Sequence, residues 1–134
     1  MFKLDFLTPE SVIVLDQELV EITLPAFKGE LNILPGHAPL TTTLQPGILS
    51  YKLVNGESKR FAISWGYCQV SEKGVSVLAE TVTTAQEIVT SKVQESLRLV
   101  ENKLTAEMLD DVDWKQTQLE IARLRAELDL AARP

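Results

Sequence analysis

Cysteine and histidine are nearly missing from this chain: among its 134 residues there is one of each, Cys68 and His37. A lone cysteine excludes an intramolecular disulfide and a cysteine-based metal cluster. Set in an apolar-alternating run, Cys68 is expected to be a small core residue. A lone histidine excludes paired-histidine metal sites, and no nucleophile-elbow or phosphate-loop spacing is present. Basic residues are outnumbered, 13 Lys and Arg against 19 Asp and Glu, for a net charge of −6. That argues against nucleic acid as a partner, which needs clustered cations, and against direct adhesion to an anionic membrane. No apolar run approaches the roughly 18 residues that a bilayer-spanning helix requires. The opening MFKLDFLTPE carries Asp5 and Pro9, so it reads neither as a secretory signal nor as an Arg/Ser-rich transit peptide. The chain is expected to be soluble and intracellular. Its length suits one ordinary domain, or a small domain with an appendage, without staples.

What the sequence does have is concentrated between Gly29 and Gly47. Those nineteen residues hold three prolines (Pro35, Pro39, Pro46) and three glycines (Gly29, Gly36, Gly47). They also keep an apolar ladder of Leu31, Ile33, Leu34, Leu40 and Leu44. Disordered linkers lack such a ladder, because they cannot bury enough apolar surface to offset ordering entropy. Prolines fix φ and glycines release it, so the stretch reads as a shaped, packed connection.

Two halves of the chain differ in period. From residue 2 to about 83 the period is two: Phe2, Leu4 and Phe6 alternate with Lys3 and Asp5, as in a half-buried strand. Ser11–Leu15 and Leu19–Leu24 follow as short strands. Tyr51–Val54 and Lys59–Ile63 flank Asn55-Gly56, a hairpin signal because both residues tolerate positive φ. Tyr67–Val70 and Val75–Leu78 flank a second tight turn at Glu72-Lys73-Gly74. Short strands at close intervals imply a sandwich or barrel. After Thr83 the period becomes helical. Val89, Val93, Leu97, Val100 and Leu104 form one stripe, started by a Thr84/Glu87 capping box. A second helix is expected from Asp113 as N-cap with Gln116 as its partner, striped by Trp114, Thr117, Ile121, Leu124, Leu128 and Ala131. Thr105–Val112 is the short polar connection, so the helices fold back as an αα-hairpin. Such a pair buries little by itself and needs the β half, or another protein, as its third surface. That makes it a candidate mobile element.

Chemistry is sparse. His37, in Pro-Gly-His-Ala-Pro, reads as a turn or contact residue, since no orienting partner or nucleophile accompanies it. Asp110, Asp111 and Asp113 lack the glycine and distal glutamate of a calcium loop and read as caps. The hydroxyls of Thr41–Thr43, Thr81, Thr83 and Thr84 are ordinary strand and cap residues. The residues describe a binding or coupling subunit rather than an enzyme, with no metal or cofactor.

The chain closely resembles the epsilon subunit of bacterial and chloroplast F-type ATP synthases. That family's signature, Gly-Glu-Leu-Gly-Ile-Leu-Pro-Gly-His-Ala-Pro-Leu with a Pro-Gly about seven residues on, matches Gly29–Leu40 and Pro46-Gly47. Asn32 stands where the family has glycine; Asn is the next-best residue in left-handed backbone, so the turn is expected to survive. Ser64–Val70 is a drifted second signature, Val77-Leu78-Ala79-Glu80 a third, and Asp111-Val112-Asp113-Trp114 resembles the start of the family's last helix. The resemblance runs the full length. It implies an N-terminal antiparallel β-sandwich, residues 1–83, followed by a C-terminal antiparallel helical hairpin, residues 84–134. It implies a non-catalytic rotor subunit in the central stalk, coupling proton or sodium flow to catalysis elsewhere. The implied partners are the gamma subunit, the ring of c subunits through Glu30 and His37, and the alpha and beta catalytic subunits through the hairpin. The implied place is the cytoplasmic face of the bacterial inner membrane, peripheral, through the complex alone.

Two departures qualify the resemblance. Some relatives bind ATP through an Ile-Asp-x-x-Arg-Ala motif, whose aligned positions here are Ile88, Val89, Lys92 and Val93. The Asp is lost and the Arg replaced by Lys, which cannot make the same planar bidentate contact, so nucleotide binding is expected to be weak or absent. From residue 114 onward four cations (Lys115, Arg123, Arg125, Arg133) face three carboxylates (Glu120, Glu127, Asp129). Relatives have a strongly basic last helix there, so inhibition of hydrolysis is expected to be weaker. The alternative reading is a free-standing β-sandwich adaptor whose hairpin binds another helical partner. A small hydrolase built on His37 is a distant third.

Overall fold

The computed structural model describes residues 2–106 and 111–132. Its strands are β1 (Phe2–Leu7), β2 (Val12–Ala26), β3 (Gly29–Ile33), β4 (Leu40–Leu44), β5 (Gly47–Leu53), β6 (Ser58–Ile63), β7 (Gly66–Ser71), β8 (Gly74–Ala79) and β9 (Val82–Thr83). A 3-10 turn at Ala85–Glu87 leads to the helices α1 (Thr90–Ala106) and α2 (Asp111–Ala132). The long β2 is shared between two layers. Its first half pairs with β1, continuing to β8, β7 and β4; its second half pairs with β3 and β5, continuing to β6 and β9. Every pairing is antiparallel except β1 with β8, which run parallel from Lys3↔Gly74 to Leu7↔Leu78.

Alternation fills the space between the layers. Leu4 and Phe6 of β1 are fully buried while Lys3 is exposed, and Leu19, Ile22, Leu24, Leu49, Ile63 and Val77 complete the dry centre. Phe61 meets Phe6 edge-on at 5.5 Å and stacks on Tyr51 at 5.9 Å. Each such side chain contributes about 1.5–3 kcal/mol relative to exposure. The sandwich therefore has its own core.

Four local expectations change. Ser11–Leu15 and Leu19–Leu24 are one strand, because Asp16 takes φ 50° and makes a bulge instead of a turn. The register steps from Leu4↔Gln17 to Phe6↔Val14, one extra residue on β2, and the Asp16 N–H donates to Asp5 Oδ1 at 2.9 Å. The stretch Gly29–Gly47 is mostly strand, β3 and β4, rather than connection. Asn32 is not left-handed: it lies extended in β3, and its Nδ2 donates to Thr23 Oγ1 across the ladder at 2.9 Å. At Asn55-Gly56 only the glycine has positive φ, 93°, while Asn55 Oδ1 accepts from the Glu57 N–H at 2.9 Å.

The helices also start differently. Thr84 N–H and Oγ1 both donate to Glu87 Oε1, at 3.3 and 2.8 Å, but they cap the 3-10 turn. Ile88 is extended (φ −87°, ψ 123°), so the helix breaks and α1 begins at Thr90. Val93 is buried and Leu97, Val100 and Leu104 are half-buried, whereas Val89 precedes the helix and is exposed. α2 begins at Asp111, two residues before the expected cap; residues 107–110 of the expected connection lie outside the described residues. Thr117, Ile121 and Leu124 are buried as their stripe required, but Trp114 is 53% exposed. α2 buries a second face as well. Ala126 and Leu130 pack on Ala62, beside Ile48, Ala85 and Ile88, on the outside of β5 and β6. α1 lies along α2, where Arg125 Nη2 donates to Glu101 Oε1 at 3.1 Å.

Candidate functional site

Pro35 and Gly36 shape the exposed end of the Gly29–Leu40 run. The His37 N–H donates to the Leu34 carbonyl at 3.1 Å, closing a turn with Pro35 and Gly36 at its centre. Gly36 has φ 85°, the backbone that a type II turn requires at its third position. The turn displays Leu34, 52% exposed, and holds His37 half-buried. His37 Nδ1 lies 2.7 Å from the Ala38 carbonyl. A carbonyl only accepts, so that contact places a proton on Nδ1. The turn, Phe2 and the β7–β8 connection (Ser71, Glu72, Gly74) line a cavity of about 370 Å³.

Glu30 occupies different ground. It is exposed on β3 opposite Pro25 and lines a cavity of about 440 Å³ with Gln45, Ile48 and, from α2, Arg125 and Asp129. The Glu30 and His37 cavities share no residue. The two residues of the run thus face separate surroundings, one toward the helices and one toward the far end of the sandwich. Of the apolar ladder, Ile33 and Leu44 enter the core and Leu31 packs against it, while Leu34 and Leu40 remain exposed.

The degenerate nucleotide motif is split by packing. Ile88 joins the small cluster under α2 and Val93 is buried, while Val89 and Lys92 are exposed. Lys92 therefore has no acidic companion within the motif. Asp111 and Asp113 fall in the first turn of α2, and Asp110 lies outside the described residues. Cys68 is fully buried, and desolvation pushes its thiol up to about 12, too high for a nucleophile near neutrality.

A polar cluster that sequence reasoning missed lies where α2 meets β9. Arg123 Nη2 donates to Glu120 Oε1 at 2.6 Å and Nη1 donates to Glu127 Oε1 at 3.1 Å. Thr83 Oγ1 of β9 donates to the same Glu127 oxygen at 3.4 Å. Glu127 is 7% exposed. The Glu120 hydrogen bond foremost, with the charges of both carboxylates, holds Arg123 even more firmly protonated than usual, against a smaller opposing effect of burial. The signal was available: Ala122, Ala126 and Leu130 recur every four residues and mark a second buried stripe beside Glu127.

Residues 1–85 match the ATP synthase delta/epsilon chain beta-sandwich domain family. The ATP synthase epsilon chain of Bdellovibrio bacteriovorus is 48% identical over 130 residues, 96% of this chain and 93% of that one. The ATP synthase epsilon chain of Geobacter sulfurreducens is 34% identical over 131 residues, 98% and 94% of the two chains. A chain in the Euglena gracilis mitochondrial ATP synthase structure has the same fold, with a TM-score of 0.86 at 22% identity, covering 98% of this chain and 81% of that one. A chain of the Tetrahymena thermophila mitochondrial ATP synthase central stalk and c-ring aligns at a TM-score of 0.67 and 15% identity, covering 97% and 96%. The chain belongs to the ATP synthase epsilon-chain family, as a non-catalytic subunit of that enzyme.

Proposed function

We propose that this subunit works in the rotating central stalk and couples ion translocation to ATP synthesis without chemistry of its own. The observation that carries this reading is the 48% identity to an epsilon chain across nearly the whole length, with the Gly29–Leu40 run intact but for Asn32. The sandwich, residues 1–83, binds the gamma subunit and rests on the ring of c subunits. The hairpin, residues 84–134, modulates hydrolysis at the alpha and beta subunits. The complex sits on the cytoplasmic face of the bacterial inner membrane, and this chain reaches the membrane only through it.

Several features support the assignment of surfaces. Trp65 and Tyr67 are 52% and 50% exposed and line one cavity with Pro9 and Leu78. Exposed aromatics grouped in this way suit a protein partner, here the gamma subunit. The Leu34–His37 turn offers a rigid apolar tip with one histidine, suited to a polar loop of the ring. Cysteines introduced as Glu30→Cys or His37→Cys should cross-link to c subunits in the assembled enzyme. Cross-links absent at both positions, in an enzyme that retains this subunit, would remove the ring assignment.

A further inference from the structure

The docked helical pair meets the sandwich through α2, and the apolar part of that contact is small. It consists of Ala62, Ala126 and Leu130, with Ile48, Ala85 and Ile88 half-buried around them. Leu130 is the one large side chain fully buried there, so the apolar contact rests mainly on a single residue. Beside it stands the Glu127 carboxylate, with only 10% of its side chain exposed. Burying a carboxylate costs free energy unless it is paired and hydrogen-bonded. Its two partners differ in origin: Arg123 comes from its own helix, one turn back, while Thr83 comes from β9. β9 pairs with β6 at Thr83↔Ala62, so the hydroxyl sits next to the apolar contact.

We propose that Thr83, Glu127, Arg123 and Glu120 form a built-in polar latch that holds the helical pair on the sandwich. Arg123 neutralises Glu127 and is itself steadied by Glu120; Thr83 ties the neutralised carboxylate to the sheet. Undocking α2 separates Glu127 from Thr83 and leaves the Arg123 pair intact on the helix. The helix pair can therefore leave without stranding a charge, and the latch closes when the Thr83 hydroxyl returns. The latch uses side chains of this chain alone. This inference rests on the reading of the hairpin as a movable, modulating element.

Hydrogen exchange on the isolated full chain tests it, with Glu127→Gln and Thr83→Val as the variants. Loss of one charge-assisted bond at a part-buried site should raise exchange of the α2 amides facing the sheet roughly tenfold. Exchange in β1, β5 and β8 should stay unchanged, because the sandwich has its own core. Glu120→Gln should have a smaller effect in the same direction. Unchanged α2 exchange in both main variants would overturn the latch. An equal rise in α2 and in the sandwich would overturn it too, since Glu127 would then support the whole fold. Co-purification of the wild-type chain with the gamma subunit tests the stalk reading separately, so the two can fail independently.

Discussion

A Gly36→Ala substitution should cost stability through backbone strain alone. Gly36 has φ 85°, yet a Cβ built there meets nothing within 4 Å. An L-residue in left-handed backbone costs about 1–2 kcal/mol. For a domain of this size each kcal/mol lowers Tm by about 4 °C, so the expected loss is about 4–8 °C. Gly66→Ala provides the contrast. There a Cβ would lie 2.0 Å from the Leu78 carbonyl oxygen and 2.8 Å from Ala79 Cα. Both are backbone atoms of the paired strand β8, which cannot move aside without breaking the ladder. Overpacking against a fixed neighbour costs about 3 kcal/mol or more, so Tm should fall by about 12 °C or beyond. Gly36→Asn should recover roughly half of the alanine loss, because asparagine tolerates left-handed backbone. Thermal unfolding followed by circular dichroism measures all three. Equal losses for Gly36→Ala and Gly66→Ala, or an asparagine no better than alanine, would refute the strain argument.

Further outcomes follow from the same structure. Leu130→Ala removes the one large side chain from the helix–sheet contact and should cost about 2–3 kcal/mol of docking free energy, the low end for a leucine whose site can relax; exchange of α2 amides reads this, and exchange of the sandwich strands should not follow. Cys68 should resist iodoacetamide at pH 8 until the chain unfolds, and folding stability should decline as pH rises from about 9 toward 12, because the folded state holds the thiol proton that the unfolded chain releases near 9. Calorimetry with ATP should show no micromolar binding to the isolated chain, given Val89 and Lys92; a micromolar isotherm would contradict that. Trp65→Ser with Tyr67→Ser should reduce recovery of the gamma subunit without lowering Tm by more than about 2 °C, as exposed side chains contribute little to the fold.

Much of the fold was legible because the period of each half is strong. Leu4 and Phe6 had to enter a core once Lys3 and Asp5 alternated with them, and the Leu97–Leu104 stripe could only be a helix face. The misreadings have local causes. Ser11–Leu15 and Leu19–Leu24 read as separate strands, but an aspartate between them that accepts φ 50° bulges the strand without ending it. Asn32 was judged by its left-handed tolerance, whereas its amide found Thr23 across the ladder and kept the backbone extended. The Thr84/Glu87 pair was a true capping pair attached to a shorter element, because Ile88 turns extended directly after it. The docking face of α2 was hardest to see. A helix buried on two sides has no single apolar stripe, so the Trp114–Ala131 spacing does not reveal the face that carries Ala126, Leu130 and Glu127. Likewise the separation of Glu30 from His37 depends on where α2 lies, which no pattern within the signature run encodes.

The central claim is membership in a working stalk, and purification of a tagged chain from its own cells tests it most directly. The account predicts that the gamma subunit and ATP hydrolysis activity come down together with the tag. Recovery of the chain with an unrelated helical partner, and without ATPase activity, would contradict it.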